Sequence, residues 1–277
     1  MHDDDSMGVI RLEYLYVFNF EKSYSYADTQ KWLSNNLVYY YGCSILYFIV
    51  IVSGKFYMLC KPKYNLKRPF ALWCGLNALF SIIGFSRTVP ELFFALSHLS
   101  LYHSVCLPSN YFQNPVSGFW TWALVLSKMV RLCDTIFIVL QKQQVTFLHV
   151  YRHLSIIPYF WFTYIQTTAI MRWISVMEYF LYSYVYSYYA LKAMSFKLPK
   201  CFTVVIIAMQ IVQTGINRII IIMAYNQRDI YKLDCHITYQ NAIVGFTYYV
   251  TNFYFYMKVF SLTYITKKHE NKGSKVN

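Results

Sequence analysis

FWTWALVLSKMVRLCDTIFIVLQKQQVTFLHVYRHLSIIPYFWFTYIQTT, residues 119–168, decides the fold. It holds two apolar stretches, 119–140 and 147–168. Each is close to the ~20 residues a helix needs to cross a bilayer core. Yet they carry Lys128, Arg131 and Asp134, then His149, Arg152 and His153. A charge at the centre of a membrane helix costs roughly 2.5–3.5 kcal/mol on insertion scales, so each needs a partner or a use.

The rest of the chain repeats the apolar pattern. Of 277 residues, 57% are hydrophobic and 13% charged, where soluble domains carry roughly 25% charged. Aromatics reach 21%, and such rings favour membrane interfaces. Nine Gly and seven Pro exclude collagen-like and low-complexity chains. The formal charge of +13 does not indicate nucleic acid, because the cations sit in short clusters between apolar runs. The expected fold is therefore an all-α membrane bundle with about seven spans, near 37–54, 70–88, 119–140, 147–168, 173–191, 201–224 and 242–265. A shorter apolar piece, 92–106, is expected at the interface. The expected organisation is a lumenal segment over 1–36, a membrane domain over 37–265 and a basic cytosolic tail over 266–277.

Loop charges set the orientation. Lys55, Lys61, Lys63, Lys67, Arg68, Lys142, Lys192, Lys197, Lys200, Lys267, Lys268, Lys272 and Lys275 fall on one side; Arg11, Lys22, Lys31, Arg172, Arg228 and Lys232 fall on the other. The richer side is expected to be cytosolic, with the N-terminus outside or lumenal. The acidic opening Met1-His2-Asp3-Asp4-Asp5 lacks the pattern of a secretory signal, so the first span is expected to direct insertion. The end, Ser274-Lys275-Val276-Asn277, holds no clear di-lysine signal.

Three spans carry polar stripes. Lys128, Arg131 and Asp134 recur every third residue; His149, Arg152 and His153 share a face at i, i+3, i+4; Glu178, Tyr182, Tyr186 and Tyr189 share another. Short connections favour neighbouring spans, so these faces are expected to meet in one polar chamber. Such a chamber reads either as a site or as a lattice fastening helices together. A metal between the two histidines is disfavoured by the cation of Arg152 between them. Arg87 and Lys258, near span ends, read as snorkelling cations; Arg218 has no assigned partner. Seven cysteines without a CxxC pair signal no zinc site. Spacing alone leaves Cys106 and Cys235, both in expected lumenal loops, as free thiols or a disulfide.

Certain motifs add a resemblance. They are Phe20-Glu21-Lys22; Arg68-Pro69 with Leu72-Trp73; Phe80-Ser81-Ile82 with Arg87-Thr88; Asn114-Pro115-Val116-Ser117 before Phe119-Trp120; Leu126-Ser127-Lys128; Asp134-Thr135-Ile136-Phe137-Ile138; Phe147-Leu148-His149; Tyr186-Ser187-Tyr188-Tyr189-Ala190-Leu191; and Gln210 with Gln213. Over nearly its whole length the chain resembles the ELO family of very-long-chain fatty acid elongases, most closely the palmitoyl-elongating subgroup. The resemblance implies an endoplasmic reticulum enzyme that condenses acyl-CoA with malonyl-CoA to a 3-oxoacyl-CoA, with the acyl group carried on histidine. It implies no cofactor and no metal. Implied partners are membrane lipid, the two CoA substrates, and other elongation-cycle enzymes or a second copy. It implies a disulfide between Cys106 and Cys235, catalytic roles for His149, His153, Lys128 and Asp134, and substrate contacts from Thr135, Tyr186, Tyr189, Gln210 and Gln213.

The sequence departs from the family motifs at four positions. His-x-x-His-His becomes His149-Val150-Tyr151-Arg152-His153; the glutamate of Lys-x-x-Glu-x-x-Asp becomes Arg131; Asn-x-x-x-His becomes Glu178 to Tyr182. Arginine is neither nucleophile nor base at neutral pH, and tyrosine is a weak one. Glu178 is expected to pair with Arg152 or Arg131, and Glu178→Gln together with Arg152→Gln is expected to restore the stability that Glu178→Gln loses. Beside the condensing enzyme stand two other readings: an elongase-fold protein without turnover that binds acyl-CoA or scaffolds an active elongase, and a seven-span receptor or retinal protein. Lys258 lies too near the cytosolic end for the retinal version.

Overall fold

In the computed structural model, residues 12–273 are described. Residues 1–11 and 274–277, among them Arg11 and Lys275 of the loop count, lie outside the described residues. Those described are helical throughout, without strands: α1 (Asn19–Lys22), α2 (Tyr26–Asn35), α3 (Leu37–Leu59), α4 (Lys67–Phe94), α5 (Leu101–Cys106), α6 (Pro115–Val130), α7 (Cys133–Leu140), α8 (Phe147–Ile165), α9 (Met171–Ala193), α10 (Lys200–Asp229) and α11 (Tyr239–Gly273). Three stretches, Leu37–Leu59, Lys67–Leu99 and Cys201–Asp229, are long and apolar enough to cross a membrane. The 23 residues of α3 rise about 34 Å.

Chain order does not govern the packing. The most extensive pairings are α4 with α9 and α10 with α11, so α9 lies chiefly against α4 and not against its chain neighbour α8. Cys74, Ala78, Ser81, Gly84 and Thr88, all buried, form a stripe of small residues along α4. Such stripes let membrane helices approach closely. At Gly84 a Cβ would collide with the Tyr179 ring of α9.

The expected continuous span over 119–140 is broken. Asn114 caps α6 by accepting from the Val116 and Ser117 amides, with Pro115 in the first turn. The helix ends at Val130, and the Leu132, Asp134 and Thr135 amides donate to the carbonyls three residues back. That tight winding superimposes residues i and i+3. The every-third-residue spacing of Lys128, Arg131 and Asp134 is thus met by overwinding at a helix break and not by one long ridge. The expected interfacial piece over 92–106 becomes the end of α4, a π-helical turn over Ala95–Leu99, and α5.

Two cations also differ from expectation. Arg172, assigned above to a loop, is 1% exposed in the first turn of α9. Arg87 does not snorkel: its Nη2 lies 2.6 Å from Oε2 of Glu21, its Nε donates to Oε1 at 3.0 Å, and Nη2 also donates to the Tyr16 carbonyl. Trp120 Nε1 and the Phe18 amide donate to the same carboxylate. Burial alone would raise the Glu21 carboxyl, yet these hydrogen bonds and the guanidinium hold it below the ordinary carboxylate value. Its stabilisation is therefore complete above about pH 5 and is lost as pH falls through the depressed folded value. The Tm of the wild type is expected to drop between pH 5 and pH 3 by more than that of Glu21→Gln, which starts lower at pH 7. Equal acid sensitivity in the two proteins would refute the assignment.

The remaining two span cations follow simpler rules. Lys258 is exposed, as a snorkelling residue would be, and Arg218 lies over the Phe253 ring, 4.7 Å from its centroid. Cys106 and Cys235 are joined in a disulfide, which ties α5 to the segment before α11.

Candidate active site

The polar stripes meet at one cavity of about 680 Å³. Lys128 and Arg131 reach it from α6 and its break, Asp134 from α7, His149, Arg152 and His153 from α8, Tyr182, Tyr186 and Tyr189 from α9, and Gln210 from α10. Exposed Lys67 and Lys192 stand at its rim with Gln143 and Ser195. The mouth therefore lies at the end of the bundle that the loop charges made basic. Among the described residues, Lys67 and Lys192 are the lysines of that side that line the cavity.

Three expected site residues stand behind the wall instead of in it. Thr135 Oγ1 is 2.8 Å from His149 Nε2, and its other contact is the Tyr47 hydroxyl at 2.9 Å. Thr135 thus fixes the ring of His149. Thr146 caps α8 by accepting from the His149 amide, which anchors the same residue by its backbone. The rings of His149 and His153 lie 4.5 Å apart between centroids. Among the described residues, no hydrogen bond occupies a ring nitrogen of His153.

Glu178 and Gln213 are the other two. The expected pairing of Glu178 with Arg152 or Arg131 is not found. Glu178 Oε2 accepts from Lys128 Nζ at 2.6 Å, and Oε1 accepts from Gln213 Nε2 at 2.8 Å. Lys128 is 1% exposed and Glu178 5%, and a primary ammonium at the end of a long flexible stem reaches across where a rigid fork does not. Arg152 instead donates to the Tyr182 hydroxyl at 3.0 Å, and Arg131 donates to Ser81 Oγ at 3.1 Å.

Tyr182 is the hub of the basic groups. Its ring centroid lies 3.8 Å from Cζ of Arg131, 4.5 Å from Nζ of Lys128 and 5.5 Å from Cζ of Arg152. Cations over an aromatic face are attracted by its quadrupole, so the phenol gathers three charges that would otherwise repel. Asp134 is held by two neutral donors, Trp73 Nε1 at 2.6 Å and the Tyr186 hydroxyl at 2.7 Å. Sequence reading gave no role to Trp73, Ser81 or Tyr47. Trp73 and Ser81 lie in motifs that carried the resemblance, which is the signal that pointed to them; Tyr47 sits in an apolar run with none. Among the described residues no group of three metal-ligating side chains converges.

The comparisons with known proteins agree with this architecture. The model of the ELO family, GNS1/SUR4, matches residues 32–272. Very long chain fatty acid elongase 6 of Drosophila melanogaster is 40% identical over 91% of this chain and 80% of its own length. The protein of the same name in Gallus gallus is 34% identical, over 95% of this chain and 97% of its own length. Putative fatty acid elongase 3 of Caenorhabditis elegans is 34% identical over 90% of the chain and 78% of its own length. With a helical bundle apolar enough for several membrane crossings and a family match covering nearly all of it, the chain belongs to the ELO family of multi-pass membrane proteins.

Proposed function

We propose that the chain condenses acyl-CoA with malonyl-CoA to a 3-oxoacyl-CoA two carbons longer, as the first step of fatty acid elongation in the endoplasmic reticulum membrane. The bundle crosses that membrane seven times, with the N-terminus lumenal and the C-terminus cytosolic. It works there beside other elongation-cycle enzymes or a second copy. The disulfide and the basic mouth support this orientation: the first suits an oxidising lumen, the second CoA phosphates arriving from the cytosol.

One observation carries the activity. The two imidazoles of His149 and His153 survive side by side on the wall of a cavity with lysines at its rim. Imidazole is the side chain that offers both a neutral nucleophilic nitrogen and a base near neutral pH. His153, with its ring nitrogens unbonded among the described residues, attacks the thioester carbonyl carbon; the C–S bond breaks and CoA leaves as its thiolate. His149, oriented by Thr135, takes the N–H proton of the acylated His153 ring and passes it to that thiolate. Malonyl-CoA then loses CO2, its α-carbon attacks the acyl carbon, the C–N bond to His153 breaks, and the departing ring regains its proton from solvent. The apolar side chains of Ile138, Ile156 and Ile207 in the lining limit water around the acyl intermediate.

Membranes supplied with labelled malonyl-CoA and a panel of saturated and monounsaturated acyl-CoAs are expected to form 3-oxoacyl-CoA. The rate should lie about 10²–10⁴ below that of a relative with every motif imidazole, because acid–base groups are lost at 152 and 182. His153→Ala should abolish the product, and Arg152→His with Tyr182→His should raise its rate. A second reading, an acyl-CoA binder without turnover, is favoured by the Arg152–Tyr182 hydrogen bond, which fills the space of both replaced imidazoles. Acyl-CoA that binds without product in the wild type and the double variant alike would establish that reading and overturn the first.

A further inference from the structure

The cavity wall carries more positive charge than it neutralises. Its inner part carries Lys128, Arg131 and Arg152, with Lys67 and Lys192 at the rim; the carboxylates are Asp134 in the wall and Glu178 just behind it. Of these cations, only Lys128 has an ion pair among the described residues, to Glu178. Asp134 is filled by Trp73 and Tyr186, and among the described residues it pairs with neither arginine. Arg131 is 2% exposed, yet only one nitrogen finds a partner, the neutral Ser81 hydroxyl. Its Nε and Nη1 are buried without any hydrogen-bond partner. Among the described residues the Arg152 guanidinium gives a single hydrogen bond, to Tyr182. Buried polar groups are normally satisfied, and buried charges are normally paired. Two guanidiniums with no carboxylate partner among the described residues, 3.8 and 5.5 Å from the Tyr182 ring centroid and both lining the cavity, are a donor set suited to an anion.

The charge and shape of the cavity select the anion. Apart from the exposed rim lysines, Lys128, Arg131 and Arg152 against Asp134 and Glu178 leave one positive charge in the inner part, which a monoanion balances. A carboxylate offers two coplanar oxygens that match the guanidinium fork. A phosphate dianion is better served at the rim by Lys67 and Lys192. The neighbouring wall, Ile138, Ile156 and Ile207, suits a carbon chain.

We propose that Arg131 and Arg152 form a carboxylate-binding subsite beside Tyr182. Its ligand is an acyl compound with a free carboxylate, either the terminal carboxylate of a malonyl thioester or the head of a long-chain fatty acid. The malonyl case rests on the condensation reading; the fatty acid case does not. In the malonyl case the carboxylate is lost as CO2 in the reaction. The subsite then binds the ground state more than the transition state, so it lowers KM without raising kcat.

The test uses the full chain purified in detergent and two matched pairs of probes, malonyl-CoA against acetyl-CoA and palmitate against hexadecanol. The second member of each pair lacks the carboxylate. A charge-assisted hydrogen-bond pair predicts about tenfold tighter binding of the carboxylate in at least one pair. The pair that shows the preference identifies the source. In Arg152→Gln the preference should fall to within about threefold, and Arg131→Lys, which keeps the charge but loses the fork, should weaken it partially. No preference in either pair for the wild type overturns the subsite, as does a preference unchanged in a folded Arg152→Gln. The wild-type comparison decides the matter even where a variant does not fold. Carboxylate preference without condensation product defeats the proposed activity and leaves the subsite standing; product without preference does the reverse.

Discussion

Replacing Glu178 by Gln is expected to destabilise the protein by about 3–5 kcal/mol, the usual cost of removing one partner from a buried ion pair. The carboxylate is 5% exposed and receives Lys128 Nζ at 2.6 Å. Without it the ammonium keeps only aromatic faces, Phe160 at 4.2 Å and Tyr182 at 4.5 Å. It also keeps two arginines as neighbours across Tyr182. An apparent Tm lower by roughly 10 °C is expected in thermal unfolding of the detergent-solubilised protein. Lys128→Met fills similar volume without charge, so Glu178→Gln with Lys128→Met should regain most of the loss, as buried pairs replaced by apolar groups often do. Arg152→Gln in place of Lys128→Met should not, because Arg152 bonds to Tyr182 and not to the carboxylate. Rescue by Arg152→Gln and not by Lys128→Met would return Glu178 to Arg152, one of the two partners that the sequence alone suggested.

That correction shows where residue patterns stop being informative. The stripes at 128/131/134, 149/152/153 and 178/182/186/189 were visible because helical period places them on faces, and the structure gathers all except Glu178 onto one cavity wall. The partner of Glu178 was not visible. Lys128, Arg131 and Arg152 are equivalent by charge, and the choice among them is made by reach and by which way α6 ends. Helix packing was half visible: the small residues of α4 spell a close-approach stripe, but nothing local says that its partner is α9. Arg172 and Glu91 were the least legible. Arg172 stood just outside an expected span and read as a loop charge, Glu91 drew no reading at all, and the two lie 81 residues apart in sequence.

Arg172 organises the far end of the bundle, and its loss should cost at least as much as that of Glu178. Its Nε donates to both oxygens of Glu91, at 3.0 and 2.7 Å. Nη1 donates to the carbonyls of His103, Ser104 and Leu107, and Nη2 to that of Pro108. These carbonyls belong to the last turn of α5 and the loop after it, where helix ends leave acceptors unsatisfied. A planar guanidinium can serve a carboxylate and several carbonyls at once; an ammonium has three donors and no fork. Arg172→Met therefore leaves Glu91 buried and unpaired and also frees the carbonyls around Cys106. The expected loss is about 3–5 kcal/mol, with faster hydrogen exchange over residues 101–112. Arg172→Lys should recover only a minor part. Glu91→Gln should cost less than Arg172→Met, because four backbone carbonyls still face the cation. If Arg172→Lys matches the wild type, or if Glu91→Gln is the more damaging change, the guanidinium is not what holds this end together.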